Sequence, residues 1–173
     1  MTNNLKTKVG LAIAMLIALA VAAMAQSVPQ ISLRSTDGRA VNLAALKGKV
    51  VVLSFGGTWV PLSPKELPAL QKLADRFAPR GAQVFWVSIN SDKPGGRTSA
   101  TDDDLNAFLQ KNNVRLSALR DPDQQVYKAF GLDALPTVVV ISDGRVVLKH
   151  VGFSSDQADG YSEIAKMLDQ LLK

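Results

Sequence analysis

The spacing of apolar residues changes several times along the chain, and each change marks an element. Val50 to Phe55 (VVVLSF) is a near-continuous apolar run, the pattern of a strand covered on both faces. Leu67, Leu70, Leu73, Ala74 and Phe77 then recur at helical spacing, and Arg80-Gly81 supplies a stop. Val84 to Ile89 predicts a second buried strand. Leu105, Phe108 and Leu109 form the stripe of a helix whose start is framed by Thr101 and Asp104. Val114 to Leu119 predicts a short strand, and Val126, Tyr127 and Phe130 a short helix closed by Gly131. Thr137 to Ile141 and Arg145 to Val151 predict an antiparallel pair about Asp143-Gly144, and Tyr161, Ile164, Leu168 and Leu171 a terminal helix. At the front, Ile31 to Lys49 reads as a hairpin about Asp37-Gly38 followed by a short turn. Strand and helix alternate before a closing hairpin and helix. The expected fold is therefore α/β, a central mixed β-sheet flanked by helices, with an N-terminal β-hairpin extension.

Two polar stretches interrupt this pattern. Asn90 to Ala100 (NSDKPGGRTSA) predicts a surface loop. Ser63-Pro64-Lys65-Glu66 has the form of a capping box with proline at the first helical position. On that reading Ser63 caps the helix, Glu66 reaches back to the Ser63 N–H, and loss of the serine oxygen costs about 1 kcal/mol. Pro68 lies one turn further in, lacks the N–H that would bond back to residue 64, and predicts a kink.

The first residues follow a different logic. Lys6 and Lys8 precede an apolar run from Gly10 to Ala22, and Ala23-Met24-Ala25 is an A-x-A site. This is the layout of a secretory signal peptide over residues 1–25, cleaved before Gln26, with one domain over 26–173. The competing reading is a retained anchor, for which Val9 to Ala25 is at the short edge of a bilayer span. The expected location is exported, periplasmic or otherwise extracytoplasmic, with membrane contact only through a retained anchor.

Composition removes several chemistries. The 173 residues carry a formal charge of +5, part of it in Lys6 and Lys8, and contain no basic run; nucleic-acid binding is not indicated. There is no cysteine and a single histidine, His150, so a zinc or copper site is not expected, and no cofactor is called for. A serine nucleophile at Ser63 needs a base and an orienting acid, and no G-x-S-x-G elbow is present. His150 falls in a predicted hairpin strand and reads as a sheet-surface residue. Asp102 to Asp104 reads as acid favouring a helix N-terminus. Trp59, in a Gly-rich turn before a helix, is either a partly exposed anchor for a partner or a cover for the sheet edge.

Several of these segments together resemble the TlpA/ResA-like branch of the thioredoxin superfamily. ISLRSTDGRAVNLAALKGK resembles that family's entry motif, and KVVVLSF the strand before its active site. TWVPLSPKELPAL is similar to the family's T-W-C-x-x-C-x-x-E-x-P-x-L at Thr58, Trp59, Pro61, Glu66, Pro68 and Leu70. ALPTVVVIS resembles the loop carrying its cis-proline, here Pro136, and DGRVVLKHVGF its closing hairpin. The resemblance implies a thioredoxin-like fold over nearly all of the chain from Ile31 to Leu172. It implies a thiol-disulfide oxidoreductase, in redox homeostasis or cytochrome c maturation. The two cysteine positions, however, hold Val60 and Ser63, and no cysteine stands elsewhere. Disulfide exchange requires a thiolate and a second sulfur, so neither that reaction nor peroxiredoxin chemistry is expected. Ser54 stands where thioredoxins often keep a buried acid, which fits a site without proton transfer. Gly56 and Gly57 replace bulkier residues and are expected to open the surface beside Trp59. What the resemblance leaves is a groove for an extended protein or peptide segment, formed by Trp59, Val60 and Leu62 with Leu135, Pro136 and Thr137.

Overall fold

The computed structural model describes residues 28–154 and 160–173; the expected signal segment, 1–25, lies outside the described residues. The strands are β1 (Ser32–Ser35), β2 (Ala40–Asn42), β3 (Val50–Gly56), β4 (Ala82–Ser88), β5 (Ala118–Arg120), β6 (Thr137–Ser142) and β7 (Arg145–Val151). The α-helices are α1 (Ser63–Phe77), α2 (Asp102–Lys111), α3 (Gln125–Ala129) and α4 (Ser162–Leu171). One 3-10 turn, Leu43–Leu46, follows the hairpin, and another, Ala78–Arg80, ends α1. All seven strands form one sheet in the order β2-β1-β5-β4-β3-β6-β7. Pairing of β3 with β4 and of β4 with β5 is parallel, and every other pairing is antiparallel. The mixed sheet expected from the alternation is the one observed. The fifth strand is shorter and later than its apolar run suggested, because Arg115 is drawn off toward α1, where its N–H donates to Gln71 Oε1 at 2.7 Å.

The central strand explains why two cores form. Side chains alternate across a strand, so Val50, Val52 and Ser54 face one side while Val51, Leu53 and Phe55 face the other. On the first side Val50 and Val52 meet Leu67, Leu70 and Phe77 of α1 and Ile164 and Leu168 of α4. On the second, Phe55 packs against Tyr127 and Phe130 beside Leu119 and Leu43. Each such side chain taken from water contributes roughly 1.5–3 kcal/mol. Helix α1 runs without interruption through Pro68, whose ring lies on the exposed side.

Thr101 and Asp104 form the capping box read from sequence. Asp102 does more than favour a helix N-terminus. It accepts from Arg34 at 2.6 and 3.0 Å and from the buried Arg120 at 3.0 Å, fastening α2 to β1 and β5. The Asn90–Ala100 excursion closes on itself through a Ser91–Ser99 bridge, with Ser91 N–H on the Thr98 carbonyl and Ala100 N–H on that of Ser91.

Candidate functional site

Strand register brings the site together. Phe55, near the end of β3, pairs with Thr137, the first residue of β6. The Gly57–Leu62 turn and the Ala134–Pro136 loop therefore leave the same end of the sheet. The Leu135–Pro136 peptide is cis. Thr137 is buried, its hydroxyl donating to the Ala134 carbonyl at 2.7 Å, while the Pro136 carbonyl accepts from Gly152 N–H at 2.8 Å. Among the described residues the Leu135 backbone makes no hydrogen bond.

Of the six residues expected to form a groove, Trp59 is exposed, Leu62 and Leu135 are half-buried, and Val60, Pro136 and Thr137 are buried. The first three can offer side-chain surface to a partner, whereas the last three shape the backbone beneath it. Gly57 is covered rather than open. A Cβ there would fall 2.6 Å from the Trp59 ring, so the absent side chain lets that ring lie on the backbone. Gly56 is likewise filled from within, since a Cβ would meet Trp86 Nε1 at 2.7 Å and Ser63 Oγ at 3.1 Å. The expectation that these glycines open the surface is thus corrected: they admit aromatic rings.

Asn90 fixes the turn that carries Trp59, a role its sequence context did not reveal. The fully buried amide accepts from the Thr58 N–H at 3.1 Å and the Ser88 hydroxyl at 2.9 Å. Its Nδ2 donates to Thr58 Oγ1 at 2.8 Å and the Thr98 carbonyl at 3.1 Å. Only the fold brings residues 58, 90 and 98 into reach.

The capping box expected at Ser63 is absent. The helix cap is Leu62, whose carbonyl accepts from Lys65 and Glu66, and it offers no side-chain bond. Ser63 has turned inward, fully buried, with its N–H on the Val60 carbonyl at 3.0 Å and its Oγ without a partner. Burial of the apolar face of α1 outweighs the gain of one cap. Ser63→Ala therefore removes a buried hydroxyl that has no partner. It is expected to leave stability unchanged or raise it by up to about 1 kcal/mol, instead of costing that amount. Chemical denaturation checks the sign.

Glu66 is the larger departure. It does not reach back to the Ser63 N–H but lies fully buried, its Oε1 accepting from the Ser54 hydroxyl. Ser54 sits opposite Trp86 on β4 and Val138 on β6, and Val138 sits opposite His150 on β7. Tyr161 covers this row, edge-on to His150 at 5.9 Å. No basic side chain is paired with Glu66 among the described residues. Loss of water pushes its carboxyl up to about 8, against a weaker opposing effect of the Ser54 and Tyr161 hydroxyls. The Tyr161 hydroxyl is raised too, by burial and then by the Glu66 charge, although no hydrogen bond of ordinary geometry joins the two. A buried acid is therefore present after all; Ser54 holds it instead of replacing it. The spacing carried a signal, because Glu66 stands four residues before Leu70 and next to Leu67 on the apolar stripe.

His150 is not placed as a base for Ser63, since its Nδ1 bonds Glu163 Oε2 at 2.9 Å. Among the described residues no cluster of three or more His, Cys, Asp or Glu could hold a metal ion. No described helix is long and apolar enough to cross a membrane.

Comparison with known proteins agrees with this geometry. The AhpC/TSA family model matches residues 24–150. The thiol-disulfide oxidoreductase ResA of Bacillus subtilis (strain 168) is 30% identical over 120 residues, 69% of this chain and 62% of the relative. The chain thus spans a little under two thirds of that relative's length. Among solved structures, a candidate thiol:disulfide interchange protein DsbE from Chlorobium tepidum superposes with a TM-score of 0.70 at 26% identity, covering 85% of this chain and 96% of that one. The pneumococcal exposed lipoprotein thioredoxin Etrx1 from Streptococcus pneumoniae strain TIGR4 gives 0.65 at 25%, covering 83% and 100%. The fold is that of these thioredoxin-like proteins.

Proposed function

This chain belongs to the AhpC/TSA family and is similar to thioredoxin-like thiol-disulfide oxidoreductases, and from that premise we propose that it is a redox-inactive member that binds an extended protein or peptide segment outside the cytoplasm. The observation carrying this reading is the pairing of a cysteine-free chain with an exposed Trp59 and a Leu135 backbone that makes no hydrogen bond. Val60 and Ser63 occupy the positions of the family's two cysteines, and none of the 173 residues is cysteine. A thiolate cannot form, so exchange has no nucleophile. Beside them stand the exposed Trp59 and the free backbone of Leu135 at the cis proline. An unpaired backbone edge next to an aromatic surface takes an extended segment by strand-like pairing, and the ring supplies the anchor. The extracytoplasmic location is supported by the signal-like first residues and by relatives such as the exposed lipoprotein thioredoxin.

The test is binding of the purified protein to an array of unstructured peptides. Trp59→Ala is expected to weaken the strongest binders by about tenfold or more, the usual loss at an aromatic hot spot. Equal binding by the two proteins, or none by either, removes the groove from the account.

A further inference from the structure

The N-terminal hairpin leaves a second opening, at the opposite end of β3 from the Trp59 turn. Strand β5 pairs with only Trp86, Val87 and Ser88 of β4, although β4 begins at Ala82. The earlier half of β4 consequently has a strand neighbour on the β3 side alone. The Asp121 N–H bonds the Ser88 carbonyl, so even-numbered residues of β4 turn their backbone toward β5. By that alternation the Val84 amide and carbonyl face the space where β5 has not yet started. That space is a cavity of about 630 Å³ between β4, β2 and the 3-10 turn, within the roughly 300–1,000 Å³ range of small-molecule sites.

Its lining has apolar, charged and uncharged polar parts, the last being Ser35, Asn42, Gln83 and Ser117. Val41, Leu46 and Phe85 are half-buried apolar residues of the lining, and all three pack against the same core as Phe55. Its charged lining residues are Arg39, Lys49 and Arg115, with no acid among them. Two of these cations are already neutralised from outside, Arg39 by Asp37 at 2.6 Å and Arg115 by Asp75 at 2.8 Å. Lys49 makes no ion pair among the described residues. A hollow with an apolar wall and one lining ammonium that makes no ion pair complements an apolar body bearing one negative charge.

We propose that this cavity is a binding site for a small apolar monocarboxylate. The hydrocarbon part lies against Val41, Leu46 and Phe85, and the carboxylate meets the Lys49 ammonium. Charge-assisted contacts of this kind are roughly twice as strong as neutral ones. The site is independent of the groove at Trp59, and neither reading depends on the other.

Titration of the isotopically labelled full chain with decanoate, below its micelle concentration, tests this by amide chemical shifts. Saturable shifts are expected at Val41, Leu46, Val84 and Phe85, and little change at Trp59. Lys49→Gln should weaken binding by about tenfold, the loss of one hydrogen bond to a charged group. Ala45→Glu places an acid at the exposed lip of the cavity and should weaken it further, while decanol should bind less well than decanoate. Absence of saturable shifts, shifts centred on Trp59, or undiminished binding by both variants would overturn the assignment.

Discussion

The double substitution Val60→Cys, Ser63→Cys is expected to form an intramolecular disulfide under mild oxidation and to confer insulin-reducing turnover on a protein that otherwise shows none above buffer. The geometry is already in place. The Ser63 N–H bonds the Val60 carbonyl at 3.0 Å, closing a four-residue turn whose ends lie within about 7 Å. Disulfides span Cα separations of about 4.4–6.8 Å. Both positions are buried, and Ser63 carries a hydroxyl with no partner that a thiol replaces at little cost. The measurement is thiol alkylation followed by mass analysis of oxidised and reduced samples, with an insulin-reduction assay alongside the unaltered protein. Two thiols that stay free in a natively folded variant would contradict the turn. Turnover by the cysteine-free protein itself would contradict the proposed inactivity.

Glu66 should make the protein lose stability as the medium becomes alkaline, and Glu66→Gln should abolish most of that loss. The carboxyl ionises near 4.5 in the unfolded chain, but burial pushes it up to about 8 in the folded one. Between those values the folded state holds a proton that the unfolded state has released. Stability therefore falls as pH rises through that window, by at most about 1.4 kcal/mol per unit, and levels off above it. Below the window the contribution is fully present. The total is on the order of a few kcal/mol, a large share of the stability of a single domain. Glutamine keeps an oxygen to accept from Ser54 and has nothing to ionise. Denaturant midpoints at pH 5, 7 and 8.5 should diverge, with variant and parent close at pH 5 and the variant ahead at pH 8.5. Parallel curves for the two proteins would show that Glu66 is not the titrating group.

Which residues form strands and helices, and which sides of them face inward, follows from apolar spacing along the chain. That spacing is a local property, and it placed β3, β6, β7 and α1 close to where they stand. The capping box at Thr101 was equally legible, because both of its partners lie within four residues. So was the absence of cysteine, which needs only a residue count. Ser63 and Glu66 show where local reasoning stops. The same S-x-x-E pattern that caps a helix at an exposed end is turned inward here, since α1 presses that face onto β3 and water is lost. Burial outweighs a cap worth about 1 kcal/mol, and it converts an apparent surface glutamate into a protonated acid. The Asn90 clamp on Thr58 and the cavity beside Lys49 likewise depend on segments tens of residues apart. Sequence alone determined the elements, the fold class and the absence of any cysteine. Which polar groups are solvated, and therefore which are charged, was decided only by the packing of α1 and the hairpin against the sheet, because desolvation is a property of the assembled fold.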